Sequence, residues 1–195
     1  NQAWPMGKGE RKLLGTIWSY LALAGDEEIK RKCVDSISNC SMTIARAALG
    51  ALKPLDSDET NEASDLFYNI WKDNPVVLDS WFAYEASRPC KHGIEIIENL
   101  LSHPKFDWKA PNSIRAVIGG FSKNIESFHS LEGQGYCFMA EKLIEVDKIN
   151  PITASRMVKV FSKWKTYIDK NKEEMYKAIL KINQANLSSN TREVV

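Results

Sequence analysis

Apolar residues recur at intervals of three and four along almost the whole chain, and no stretch alternates at two. A period near 3.6 belongs to a helix with one buried face, whereas a half-buried strand needs a period of two. The chain is therefore restricted to packing helix on helix. The first stripe, between Lys8 and Ala24, is Leu13, Leu14, Ile17, Trp18 and Leu21. Later ones include Ile29, Cys33, Val34 and Ile37; Ala63, Leu66, Phe67, Ile70 and Trp71; and Ile114, Val117, Ile118 and Phe121. The last long helix is expected from about Tyr167 to Asn186, with Ile168, Met175, Ile179 and Ile182 on one side, before a polar tail from Ser188.

Helix ends are marked as clearly as the faces. Gly25 ends the first helix and Asp26 is placed to cap the second, as Ser41 is for the third. Asn74-Pro75 and Asn150-Pro151 are the same device used twice. Asn accepts the free N–H groups of a first turn, and Pro suits the first helical position because its missing N–H has no partner there in any case. Short links between about ten such segments predict antiparallel neighbours, and no strict period repeats. The predicted fold is all-α, an irregular superhelix of antiparallel helix pairs, a HEAT- or armadillo-like stack, with residues 1–195 as a single helical domain.

At 195 residues the chain can bury a core without metal or disulfide staples. Lys plus Arg number 26 against 25 Asp plus Glu, so no global charge argues for nucleic acid or an anionic membrane. No apolar run reaches the length of roughly 20 residues that spans a bilayer. Cys33, Cys40, Cys90 and Cys137 show no C-x-x-C spacing, which suits reduced thiols in a cytoplasmic protein. His92, His103 and His129 show no H-E-x-x-H spacing, so no metal ligands are expected in this segment. The lysines from Lys159 to Lys181, interleaved with Trp164 and Tyr167, raise the idea of a nucleic-acid surface. A solvated helix face with Glu173 pairing to Lys177 is the simpler account.

Two arginines are harder to dismiss. Arg115 and Arg156 each follow a Pro/Asn stop, in what the spacing reads as the first turns of a helix. That end of a helix already carries positive charge, so an arginine is locally unhelpful there. An ordinary surface role competes with a functional one, in which both face a shared cavity that receives a carboxylate. The Glu132-Gly133-Gln134-Gly135-Tyr136 segment between them reads as a turn.

Four segments, in order, carry a resemblance. They are Leu78-Asp79-Ser80-Trp81-Phe82-Ala83-Tyr84-Glu85-Ala86; His103-Pro104-Lys105-Phe106-Asp107 with Pro111, Asn112 and Arg115; Phe128-His129 with Glu132-Gly133-Gln134-Gly135-Tyr136; and Asn150-Pro151 with Ala154-Ser155-Arg156. They resemble L-D-x-W-F-x-x-x-A, H-P-x-F-D…N-P-N-R-x-R, F-H-x-x-D-G-x-G-Y and N-P-x-x-A-S-R in the C-terminal helical domain of bacterial-type aminopeptidase N, an alanyl aminopeptidase of the zinc-dependent gluzincins. The resemblance implies the last domain of a four-domain peptidase that removes N-terminal residues from peptides. That domain covers the catalytic domain, encloses the active-site cavity and limits access to it.

The family's H-E-x-x-H…E and G-A-M-E-N motifs do not occur here. Zinc is thus expected in the parent's catalytic domain, with no catalytic residue in this fragment and no activity from it alone. Position by position, Arg115 and Arg156 match cavity-facing arginines, and Ile152 falls where the family often has Gln, at the rim of the first side-chain pocket. The implied partners are peptides and the catalytic domain of the same chain, with no nucleic acid and no membrane. The freed fragment is expected to self-associate through the face that normally meets that domain. Ile44, Ala110 and Ser113 depart from the family's N-M-T-D and N-P-N-R patterns, and Ser113 removes one charge. A non-enzymatic scaffold binding a protein partner on a concave face is the competing expectation.

Overall fold

The computed structural model describes residues 7–195. Every regular element among them is helical. Packing divides the chain into two compact units, one ending at Trp81 and one running from Phe82 to Val195.

The first unit holds α1 (Lys8–Leu23), α2 (Glu27–Asn39), α3 (Met42–Leu52), α4 (Asp58–Trp71) and the start of α5 (Pro75–Ala86). Gly25 takes φ +87° between α1 and α2, a conformation that glycine adopts without strain. Asp26 then caps α2, accepting from the Ile29 N–H at 3.1 Å. Ser41 stands at the cap position of α3 but its side chain makes no capping bond. Cys33, Val34 and Ile37 of α2, Ala45, Ala48 and Leu52 of α3, and Ala63 and Phe67 of α4 are buried together. Gly15 lets α1 lie against α3, since a Cβ there would meet the Ala47 Cβ at 3.0 Å. Thr60 reaches back to the Leu52 carbonyl at 3.0 Å, and Trp81 Nε1 donates to Ser64 Oγ at 2.9 Å.

α1 buries only part of the stripe its spacing suggests, Trp18 fully and Leu14 by half. Trp18 and Ala22 are the buried residues, while Leu13, Ile17 and Leu21 are exposed. Periodicity marks an apolar face without saying what covers it. Here the α2–α3 pair takes the face one residue further round.

The second unit continues through α6 (Gly93–Leu101), α7 (Pro111–Phe121), α8 (Ile125–Phe128), α9 (Gln134–Ile149), α10 (Pro151–Met157), α11 (Asp169–Gln184) and α12 (Ser189–Arg192). Two 3₁₀ turns, Val158–Phe161 and Trp164–Thr166, separate α10 from α11. Ile168 is the cap of α11 and lies exposed, not on its buried face. Phe121, Phe128 and Tyr136 are fully buried, with Phe128 edge-on to both others at 5.8 and 5.2 Å. Such edge-to-face pairs add to the gain from burial because ring edges and faces carry opposite partial charge.

The polar tail closes on this core. Asp147 of α9 is buried and accepts from the Ser188 N–H at 2.7 Å, from Ser188 Oγ at 2.5 Å and from Thr191 Oγ1. Burial alone would push its carboxyl up. The hydrogen bonds from Ser188 and Thr191 outweigh that and hold it below the ordinary value.

Candidate functional site

α10 starts at a built cap. Asn150 Oδ1 accepts from the Thr153 N–H at 3.0 Å, with Pro151 at the first helical position. Ile152 and Arg156 follow four residues apart and so share a face of α10, and both are exposed. Arg156 lies in the last turn of this seven-residue helix, not the first. α10 gives way to a 3₁₀ turn at Val158, so Arg156 meets the carbonyl end, where positive charge is favourable.

α7 packs against α10 within the same unit. Pro111 opens it, but Ala110 at the cap supplies no side-chain acceptor. Arg115 is exposed, and its Nη2 donates to Asn112 Oδ1 at 2.6 Å. Ser113, two residues earlier, is buried. Gly119 lies one turn beyond Arg115, and a Cβ there would touch Arg115 Cβ and Met157 Cε, each at 3.9 Å. The structure thus places Arg115, Ile152 and Arg156 on the exposed surfaces of two adjoining helices. Neither guanidinium has an acidic partner among the described residues. Each can offer its planar fork to a carboxylate or a carbonyl.

The glycine-bearing turn sets where α9 begins. Gly133 takes φ +73°, and a Cβ on Gly135 would fall 2.3 Å from the Ser127 carbonyl oxygen. Behind the turn, Tyr136 Oη meets His129 Nδ1 at 2.6 Å and accepts from Asn171 Nδ2 at 2.8 Å. Since Asn171 Nδ2 only donates, the tyrosine proton is free to point at His129 Nδ1, which fits a neutral imidazole. Burial pushes His129 below its ordinary value, in the same sense. Tyr167 stacks on the ring at 4.9 Å. Asn171 and the Asp147–Ser188–Thr191 clasp were not legible in the sequence, where they sit among lysines and in a polar tail with no periodic signal.

Among the described residues no group of three His, Cys, Asp or Glu side chains is arranged to hold a metal ion. No described helix is long and apolar enough to cross a membrane. In the lysine-rich segment, Lys177 closes its ion pair with Glu174 at 2.6 Å, and Glu173, the expected partner, acts on it only through longer-range charge.

A family model described as "Domain of unknown function (DUF3458_C) ARM repeats" matches residues 2–195. The chain belongs to that family. The description agrees with an all-α stack of helix pairs. Its relatives are aminopeptidases. Aminopeptidase N of Caulobacter vibrioides is 29% identical over 82% of this chain and 20% of its own length. Aminopeptidase N of Escherichia coli is 34% identical over 71% of this chain and 16% of its own length. A crystal structure of Legionella pneumophila aminopeptidase A in complex with aspartic acid superposes with a TM-score of 0.86 at 30% identity, covering 94% of this chain and 22% of that one. The chain therefore spans about a fifth of the length of the relatives it matches, consistent with the C-terminal helical domain of aminopeptidase N.

Proposed function

We propose that this chain is the helical domain of a zinc-dependent aminopeptidase that removes N-terminal residues from peptides. In this reading it encloses the active-site cavity and controls access to it, and the complete protein works in the cytoplasm. The observation that carries the reading is the match to aminopeptidases over nearly the whole of this chain but only about a fifth of theirs. The residues described here do not fit a zinc site. The metal and the groups that activate water belong to the remainder of the protein, and no chemical step is assigned to this domain.

Its own residues would bind and orient. Arg115 and Arg156, exposed on adjoining helices without acidic partners among the described residues, would hold a peptide's backbone carbonyls or its C-terminal carboxylate by charge-assisted hydrogen bonds. Ile152 is 57% exposed and offers an apolar rim that favours uncharged first side chains.

The test is hydrolysis of an alanine chromogenic amide and of a short peptide by the full natural gene product, with and without a zinc chelator. Chelator-sensitive release by the full product and none by the fragment supports the reading. Arg115→Ala and Arg156→Ala should then raise KM for the peptide more than for the amide. No hydrolysis by the full product would overturn the reading and bring forward a scaffold that captures a protein partner.

A further inference from the structure

A half-enclosed cavity of about 190 Å³ lies in the second unit, between the 3₁₀ turn at Val158–Phe161, α11 and the residues after α12. None of the candidate-site residues lines it. A 3₁₀ turn repeats every three residues, so side chains three apart stack in a row. Val158 and Phe161 form one row and are buried. Lys159 and Ser162 form the next and stand exposed at the mouth. Buried Ile182 of α11 and half-exposed Val194 close the other walls.

The walls and the mouth ask for different chemistry. An apolar cavity of about 150 Å³ can stay dry and take up benzene, so this one has room for an apolar body of about six carbons. At the mouth the Lys159 ammonium makes no ion pair and the Ser162 hydroxyl no hydrogen bond among the described residues. Both can donate to one acceptor. No acidic side chain lines the cavity. An anionic group at the mouth therefore meets only complementary charge, whereas an ammonium on the ligand would lose water without gaining an acidic partner.

We propose that this cavity binds a small free monocarboxylate with an apolar body and no amine. Lys159 and Ser162 hold the carboxylate by charge-assisted hydrogen bonds, and the body lies against Phe161 and Ile182. The missing acidic partner sets this ligand class apart from free amino acids. The site lies outside the residues assigned to peptide binding, and its occupancy does not depend on the peptidase reading.

The experiment titrates the full natural chain with isocaproate, isocaproamide and leucine, followed by saturation-transfer NMR. Isocaproate should bind at least about fivefold more tightly than the amide, which has the same body without the charge. Lys159→Gln should weaken isocaproate by a similar factor, while Lys159→Arg, which keeps the cation, should retain most of the affinity. Val194→Phe, which fills the cavity, should abolish binding. Leucine, which adds an ammonium, should show no binding that Lys159→Gln weakens. The proposal is overturned by absence of isocaproate binding, by equal binding of the amide, by isocaproate binding unchanged in Lys159→Gln, or by Lys159-dependent binding of leucine. The urea midpoint of each variant reports folding. If Val194→Phe unfolds the protein, the exposed Lys159 variants decide.

Discussion

Tyr84 of α5 carries a buried hydroxyl with no hydrogen-bond partner among the described residues. Burial pushes that hydroxyl well above its ordinary value. Desolvating a polar group without a new bond is unfavourable, and an apolar replacement of the same shape removes the loss. Tyr84→Phe is therefore expected to stabilise the protein by about 1 kcal/mol, read as a higher midpoint in urea. His129 makes the opposite kind of case, a polar group whose bond depends on its charge state. Its folded-state value lies below the ordinary 6.5, so the unfolded chain binds the proton more readily. The stability it contributes is complete above about pH 6.5 and is lost as pH falls below it, flattening once the folded group also titrates. His103, lowered by burial and by Lys105, acts in the same direction. The diagnostic is thus the difference between the pH dependence of melting for the wild type and for His129→Gln, which should have the shallower slope.

Helix starts separate positions that look alike in sequence. Asn150 closes a bond to the Thr153 N–H, whereas Ser41 stands at the same kind of position and closes none. Asn150→Ala should cost about 1 kcal/mol, while Ser41→Ala should be near neutral, both measured by denaturant unfolding. The elements were largely legible because caps and periodicity are local properties. Asp26, Asn74 and Asn150 each accept the predicted first-turn N–H. What was not legible depends on partners far along the chain. α1 buries Trp18 and Ala22 because of where α2 and α3 lie, which no window within α1 contains. Arg156 was read at the wrong end of its helix because the change from α to 3₁₀ at Val158 leaves no mark in composition. Arg115 and Arg156 were legible as arginines of two Pro-started helices; the packing of α7 on α10 that makes those helices neighbours was not.

At the scale of the whole molecule, α1 leaves Leu13, Ile17, Tyr20 and Leu21 on an open face. An isolated fragment of these 195 residues should therefore sediment heavier than a monomer as concentration rises. Ile17→Lys, on that face and away from the buried Trp18, should restore the monomer without lowering the melting temperature. A wild-type fragment that stays monomeric at high concentration would contradict this.

The Asp147 clasp also has a meaning in time. Its partners Ser188 and Thr191 lie 41 and 44 residues further along the chain. At ribosomal speeds they are made roughly two to nine seconds after the carboxylate they will hold. Through that interval Asp147 keeps its water, so the surface of α9 that ends up covered by the tail cannot dry early. A nascent chain paused before Ser188 is therefore expected to present at Asp147 a hydrated acidic seam that Ser188 and Thr191 later cover.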